Sequence, residues 1–276
     1  MKFRENRIYL SLILSFLFSL QSYARVVVSE STREPIIYAS IGVLHHSLGT
    51  LSDTLGNFSL TIPAEYLNDT LRISSIGYLS KDFLIKDLKN LPDTIFLADD
   101  MISLKEVVVK PIKIKSKIAG RKGTGGFIYI NVEGYKAAGQ GLAIPLKVKN
   151  LAWVKKLGFS PYIYKQALSE MKFRINFYRK TGDKYIIEKD IKPIFFDYNK
   201  KYVKDDRFIV SFPEEVLLDE GEYYVELEFL SNFSDEFFYM KTKPLTGKTR
   251  YRYASQSEWE TLPFAAPLYV EYDCVE

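Results

Sequence analysis

In Asn57-Phe58-Ser59-Leu60-Thr61-Ile62 every second residue is apolar. A period of two puts Phe58, Leu60 and Ile62 on one face of an extended chain and the polar residues on the other. A helix buries residues spaced three and four apart, so this pattern excludes one here. The same alternation recurs far along the chain. Phe173, Ile175 and Phe177 alternate with Arg174, Asn176 and Tyr178, and Tyr223-Tyr224-Val225-Glu226-Leu227-Glu228-Phe229 repeats the theme. With 20 Tyr and 19 Phe in 276 residues, the chain is rich in side chains that favour pleated, half-buried surfaces. Helical spacing is confined to Leu84–Leu91 and Ser160–Met171, bounded by Pro92 and Pro161. The chain reads as all-β.

The first third has a definite order. Pro35-Ile36-Ile37-Tyr38-Ala39-Ser40-Ile41 leads into Gly49–Leu55, and Asp53 to Gly56 has the composition of a hairpin turn, with Gly56 free to take positive φ. Pro63 ends the following strand because it cannot donate to a ladder. Asp69–Tyr78 and Thr94–Leu97 supply further strands, and Gly77 permits a bend beside Tyr78. Taken in this order, Gly49, Thr50, Asp53, Gly56, Phe58, Leu60, Ile62, Pro63, Asp69, Leu71, Ser74, Gly77, Tyr78 and Leu97 resemble the carboxypeptidase-like regulatory domain. That resemblance spans Arg25 to Lys110 and implies a transthyretin/Ig-like β-sandwich. Such modules stand alone in secreted proteins or at the N-termini of TonB-dependent outer-membrane receptors. The module accompanies peptidases and is not itself the peptidase.

Lys2, Arg4 and Arg7 precede an apolar run from Ile8 to Leu20 and the small-x-small site Ser22-Tyr23-Ala24. This is the layout of a secretory signal peptide over 1–24, too short in its apolar core to span a membrane. Removing its three basic residues and one acidic residue lowers the formal charge from +4 to +2. That balance gives no reason to expect a nucleic-acid partner. Cys274 stands alone, so no internal disulfide staples the fold; burial at a strand end is favoured over cross-linking of chains.

A boundary follows the first module. Leu104–Val109 reads as a closing strand, and 111–125 as a basic, Gly-rich linker. In that linker the alternation of Lys with Ile also allows an edge strand guarded by charge. From 126 to 276 strand signals repeat at Phe127, Ala143, Phe173, Arg207, Tyr223, Phe237 and Leu268. Their spacing suits a sandwich or jelly roll. Phe173–Tyr178, Glu222–Glu228 and Tyr251–Trp259 are similar to exported proteins that pair the regulatory-like module with a jelly-roll domain. The fold expected is therefore two β-sandwiches, the second jelly-roll-like.

The search for chemistry yields little. His45 and His46 are the only histidines and adjacent residues of a strand face opposite ways, whereas catalytic zinc usually takes three protein ligands. Serine catalysis lacks its elbow motif and a plausible base. Gly120–Gly126 lacks the Gly-Lys-Ser/Thr order of a phosphate loop. The carboxylate pairs Asp99-Asp100, Asp205-Asp206, Glu214-Glu215 and Asp219-Glu220 all fall at expected turns. No catalytic residue, metal ligand or cofactor is therefore expected. The best recognition candidates are Arg250, Tyr251, Arg252, Tyr253, Gln256 and Trp259, where aromatic faces meet directional donors; Trp153 reads as core. The expected function is an exported, non-enzymatic interaction protein of the periplasm or outer membrane of a Gram-negative cell, bound to an envelope protein. A carbohydrate-binding accessory protein is the alternative, with a polysaccharide as partner, and a glycoside hydrolase using paired carboxylates comes third.

Overall fold

The computed structural model describes residues 20–100, 113–123, 125–126, 128–133, 136–162, 171–199, 202–232 and 237–275. Two compact units emerge, 1–100 together with 255–258, and 101–254 together with 259–276. Both are built of strands.

The first unit joins two sheets across one core. Strands β1 (Leu20–Ser29), β4 (Asn57–Pro63) and β7 (Thr94–Leu97) form one sheet in the order β4-β1-β7. The other sheet orders β2 (Ser40–Val43), β3 (Gly49–Leu51), β5 (Thr70–Ser74) and β6 (Lys81–Leu84) as β3-β2-β5-β6. The alternation read in β4 holds: Phe58, Leu60 and Ile62 are buried, packed with Ile41, Leu71, Ile73 and Leu97. Gly56 and Gly77 both take positive φ, 77° and 88°, at the turns where the sequence placed them. The helical spacing at Leu84–Leu91 is realised as a 3-10 helix, Ile85–Asn90. Most of the stretch 1–24, read from sequence as a signal peptide, lies outside the described residues, but β1 begins at Leu20, ahead of Ala24, and pairs Leu20–Ala24 with Pro63–Ser59.

The second unit is a larger sandwich. Its first sheet contains β9 (Ile128–Glu133), β10 (Gly141–Val148), β12 (Lys172–Thr181), β13 (Lys184–Ile187), β14 (Ile194–Asp197), β17 (Gly221–Phe229), β18 (Phe237–Arg252) and β19 (Glu260–Ala265). The path runs β13-β12-β17-β10-β18-β19, with β14 on β12 and β9 on β18. The second sheet contains β8 (Ile114–Gly120), β11 (Ala152–Phe159), β15 (Val203–Lys204), β16 (Arg207–Leu218) and β20 (Leu268–Val275) in the order β15-β16-β11-β20-β8. Leu142, Phe173, Ile175, Val225 and Leu227 from one sheet meet Val154, Leu157, Phe208 and Val270 from the other in a single core.

Several expectations change. The stretch 111–125 is not simply a linker, because Ile114–Gly120 is the edge strand β8, paired with β20. Glu214 and Glu215 lie inside β16 rather than at a turn. Trp153 is only half-buried, because its neighbours Ala152 and Val154 take the core face of β11. The closing strand read at Leu104–Val109, and most of the helical stretch at Ser160–Met171, lie outside the described residues. Asp205 and Asp206 do form a turn, both at positive φ, 51° and 58°, between β15 and β16. Cys274 is buried on β20, its Sγ 3.6 Å from the Lys115 carbonyl.

Candidate functional site

Strand β17 shows its odd-numbered residues to the core and Glu222, Tyr224, Glu226 and Glu228 to the opposite face. Register then decides what these carboxylates meet. On β12, Arg174 stands opposite Glu228 and Asn176 opposite Glu226, with Tyr178 opposite Tyr224. On the other flank, Gly141 of β10 lies between Glu228 and Arg252 of β18. A Cβ at Gly141 would collide with Glu226 Oε1 and crowd Arg252 Nε. The absent side chain is what lets Arg252 lie across β10 and reach both glutamates.

The result is a buried ladder of alternating charge. Arg174 Nε donates to Glu228 Oε2 at 2.8 Å. Arg252 sets Nε 2.6 Å from Glu226 Oε1 and Nη2 2.8 Å from Glu228 Oε1. Asn176 Nδ2 donates to Oε2 of both glutamates, each at 2.8 Å, and Tyr178 Oη donates to Glu226 Oε2 at 3.0 Å. Both glutamate side chains are 0% exposed. Removed from water, each carboxylate needs this many partners to remain in the fold.

Burial pushes the Glu226 carboxyl above its usual range, against the pull of Arg252. For Glu228 burial works in the same direction but is overcome by Arg174 and Arg252 together, which hold its carboxyl below that range. Burial likewise opposes the charge on Arg252, yet Glu226, Tyr178 and Glu228 raise its pKa. Carboxyls whose pKa values are driven apart are the raw material of acid–base catalysis. Here both are sealed from solvent and committed to arginines, so neither presents an oxygen to a substrate.

The six recognition candidates do not converge. Arg250, Arg252 and Trp259 share the outer face of the sheet. The Arg252 guanidinium lies 5.3 Å from the Trp259 ring centroid, and Arg250 Nε donates to Tyr224 Oη at 2.7 Å. Trp259 packs on Tyr178 and Tyr224 with centroid separations of 5.6 and 6.3 Å. Tyr251 turns to the core instead, its hydroxyl bonded to Gln140. Tyr253 is exposed and meets Tyr251 edge-on. Gln256 belongs to the first unit, where its Nε2 donates to Ser74 Oγ at 2.8 Å. Alternation along a strand separates Tyr251 from its neighbours, a consequence of the period of two.

The histidines have separate carboxylate neighbours: His45 Nδ1 is 2.8 Å from Glu258 Oε1, and His46 Nε2 is 3.3 Å from Asp69 Oδ2. The residues that sequence reasoning missed are Glu226, Glu228, Arg174 and Asn176 acting as one group. Their signal was complementary, Arg-x-Asn in one alternating strand and Glu-x-Glu in another, but only the pairing register joins them.

Residues 26–109 match the family model of the CarboxypepD_reg-like domain. No curated protein matches the chain. Among solved structures, the chain is similar to one of infectious bursal disease virus, Gt strain, at 9% identity and a TM-score of 0.31, covering 93% of this chain and 56% of that one. A VP2 protein of the same virus, in derived T=1 particles, gives 8% identity and a TM-score of 0.29, with 93% and 62% covered. A carbohydrate-binding module of the β-sandwich superfamily gives 10% identity and a TM-score of 0.21, with 88% and 98% covered. The chain thus spans between half and two-thirds of the viral proteins' length. The all-β chain carries, at residues 26–109, a domain of the CarboxypepD_reg-like family.

Proposed function

We propose that this chain is an exported, non-enzymatic binding protein of a Gram-negative cell envelope that holds a protein partner through its CarboxypepD_reg-like domain. The observation that carries the reading is the surface of the first unit. Leu55, at the tip of the Asp53–Gly56 turn, is 65% exposed, and Ile37, Leu79 and Leu84 are also exposed. Covering these exposed aliphatic side chains with another protein would remove apolar area from water. The commitment of the Glu226 and Glu228 carboxylates to Arg174 and Arg252 favours holding over turnover.

The test is capture of the tagged full chain from cross-linked envelopes, with Leu55→Asp as the comparison. Recovery of one envelope protein by the wild type, reduced about tenfold by a buried charge at that tip, is the expected result. Equal recovery with both chains would contradict the reading. Binding of carbohydrate is a second reading, favoured by an exposed tyrosine surface on the second unit.

A further inference from the structure

Strands β9 and β18 pair antiparallel, with Lys241 opposite Tyr129 and Tyr239 opposite Asn131. Their intervening residues, Ile130 and Met240, are buried in the core, so Tyr129, Asn131, Tyr239 and Lys241 share the outer face. Tyr162 joins them by backbone pairing: its N–H donates to the Tyr239 carbonyl at 2.7 Å. The three rings form a cluster, Tyr129 lying 5.5 Å from Tyr162 and 5.9 Å from Tyr239 between centroids. Their planes are inclined by 48° and 80°, so they make a shallow angular cradle rather than a flat stack. Tyr129 remains 45% exposed.

Lys241 sets the chemistry. Its Nζ sits 3.9 Å from the centroid of the Tyr162 ring. Among the described residues its ammonium meets no carboxylate. A cation held by a ring is positioned without being neutralised. Among the described residues the surface therefore offers a positive charge that no carboxylate pairs, beside the exposed face of Tyr129, with Asn131 as a hydrogen-bonding group.

We infer that this face binds an acidic polysaccharide, with a sugar ring packed on Tyr129 and its anionic group paired to Lys241. The inference deepens the carbohydrate reading and does not rest on the protein-partner reading. Charge complementarity selects an anion, and the rings select a ligand with a flat apolar face. Size argues against a protein. Among the described residues five side chains form this cluster, whereas a specific protein interface engages about 20–30 residues a side.

The purified full chain should be retarded in native gels cast with polygalacturonate and not in gels cast with neutral dextran; dextran sulfate distinguishes sulfate from carboxylate as the anion. Retardation by either anionic polymer supports the inference, and by polygalacturonate alone assigns the carboxylate. Tyr129→Ala should weaken binding about tenfold, and Tyr129→Phe should preserve it, since the ring face carries the contact. Lys241→Gln should weaken binding and reduce its sensitivity to salt. Unchanged thermal unfolding of these surface variants would establish that binding alone was lost. Three results would overturn the inference: no retardation by either acidic polymer, equal retardation by dextran, or full binding by Tyr129→Ala. Loss of envelope-protein capture by Tyr129→Ala with polysaccharide binding intact would make the face a protein contact and overturn it equally. Because the gels contain no envelope protein, their outcome is independent of the Leu55→Asp capture.

Discussion

At the scale of single residues, the second unit depends on a side chain that is missing. Gly141 has neighbours on both flanks of its row, Glu228 on β17 and Arg252 on β18, and the arginine crosses the space above it. Gly141→Ala would drive a methyl group into the Glu226 carboxylate and separate it from Arg252. The expected loss is at least about 3 kcal/mol, the lower end of what breaking a buried ion pair costs, read from urea unfolding. No loss would mean that the ladder tolerates rearrangement. Little of this was legible beforehand. The sequence marks Glu226, Glu228, Arg174 and Asn176 as the polar side of alternating strands, which usually faces water. Burial of that side is a tertiary fact, absent from any window of a few residues. Trp153 failed in the same way: large aromatics are read as core, but its place between Ala152 and Val154 puts it on the outer face.

At the scale of elements, long alternating strands were readable and short ones were not. β4, β12 and β17 carry enough repeats for the period of two to stand out. Strands β13 and β14 span four residues each, and β15 only two, too few for any period. β8 was obscured by its lysines, which look like solvated linker. The register explains them: Lys115 and Lys117 stand opposite Cys274 and Tyr272, on the core-facing side of an edge strand. Charges in that position discourage a second chain from extending the sheet. Replacing both by valine should raise self-association, visible as a larger mass by light scattering than the wild type at equal concentration. An unchanged mass would show that another feature protects the edge.

At the scale of the whole molecule, the proposed work of the chain divides between aliphatic contacts on the first unit and an aromatic, cationic face on the second. The all-β architecture and the CarboxypepD_reg-like domain were legible because turn residues in order, Asp53, Gly56, Pro63 and Gly77, do not depend on distant partners. The proposed binding surfaces were less so: Tyr129 and Lys241 are 112 residues apart in sequence and are brought together by pairing of β9 with β18. Central to the whole account is that Glu226 and Glu228, sealed from solvent and held by Arg174 and Arg252, maintain structure. Glu228, held below the usual carboxylate range, contributes stability that is complete above its unfolded value of about 4.3 and is lost as the pH falls through its lower folded value. Glu226, raised by burial, has the opposite sign, so the fold gains as the pH falls through its raised value toward about 4.3. The most direct measurement is thermal or urea unfolding of Glu228→Gln beside Glu226→Gln, followed from pH 7 downward. Glu228→Gln should cost about 3–5 kcal/mol at neutral pH and lessen the acid-induced loss, and Glu226→Gln should cost clearly less and remove the gain. A Glu228→Gln chain as stable as the wild type at neutral pH would contradict the account.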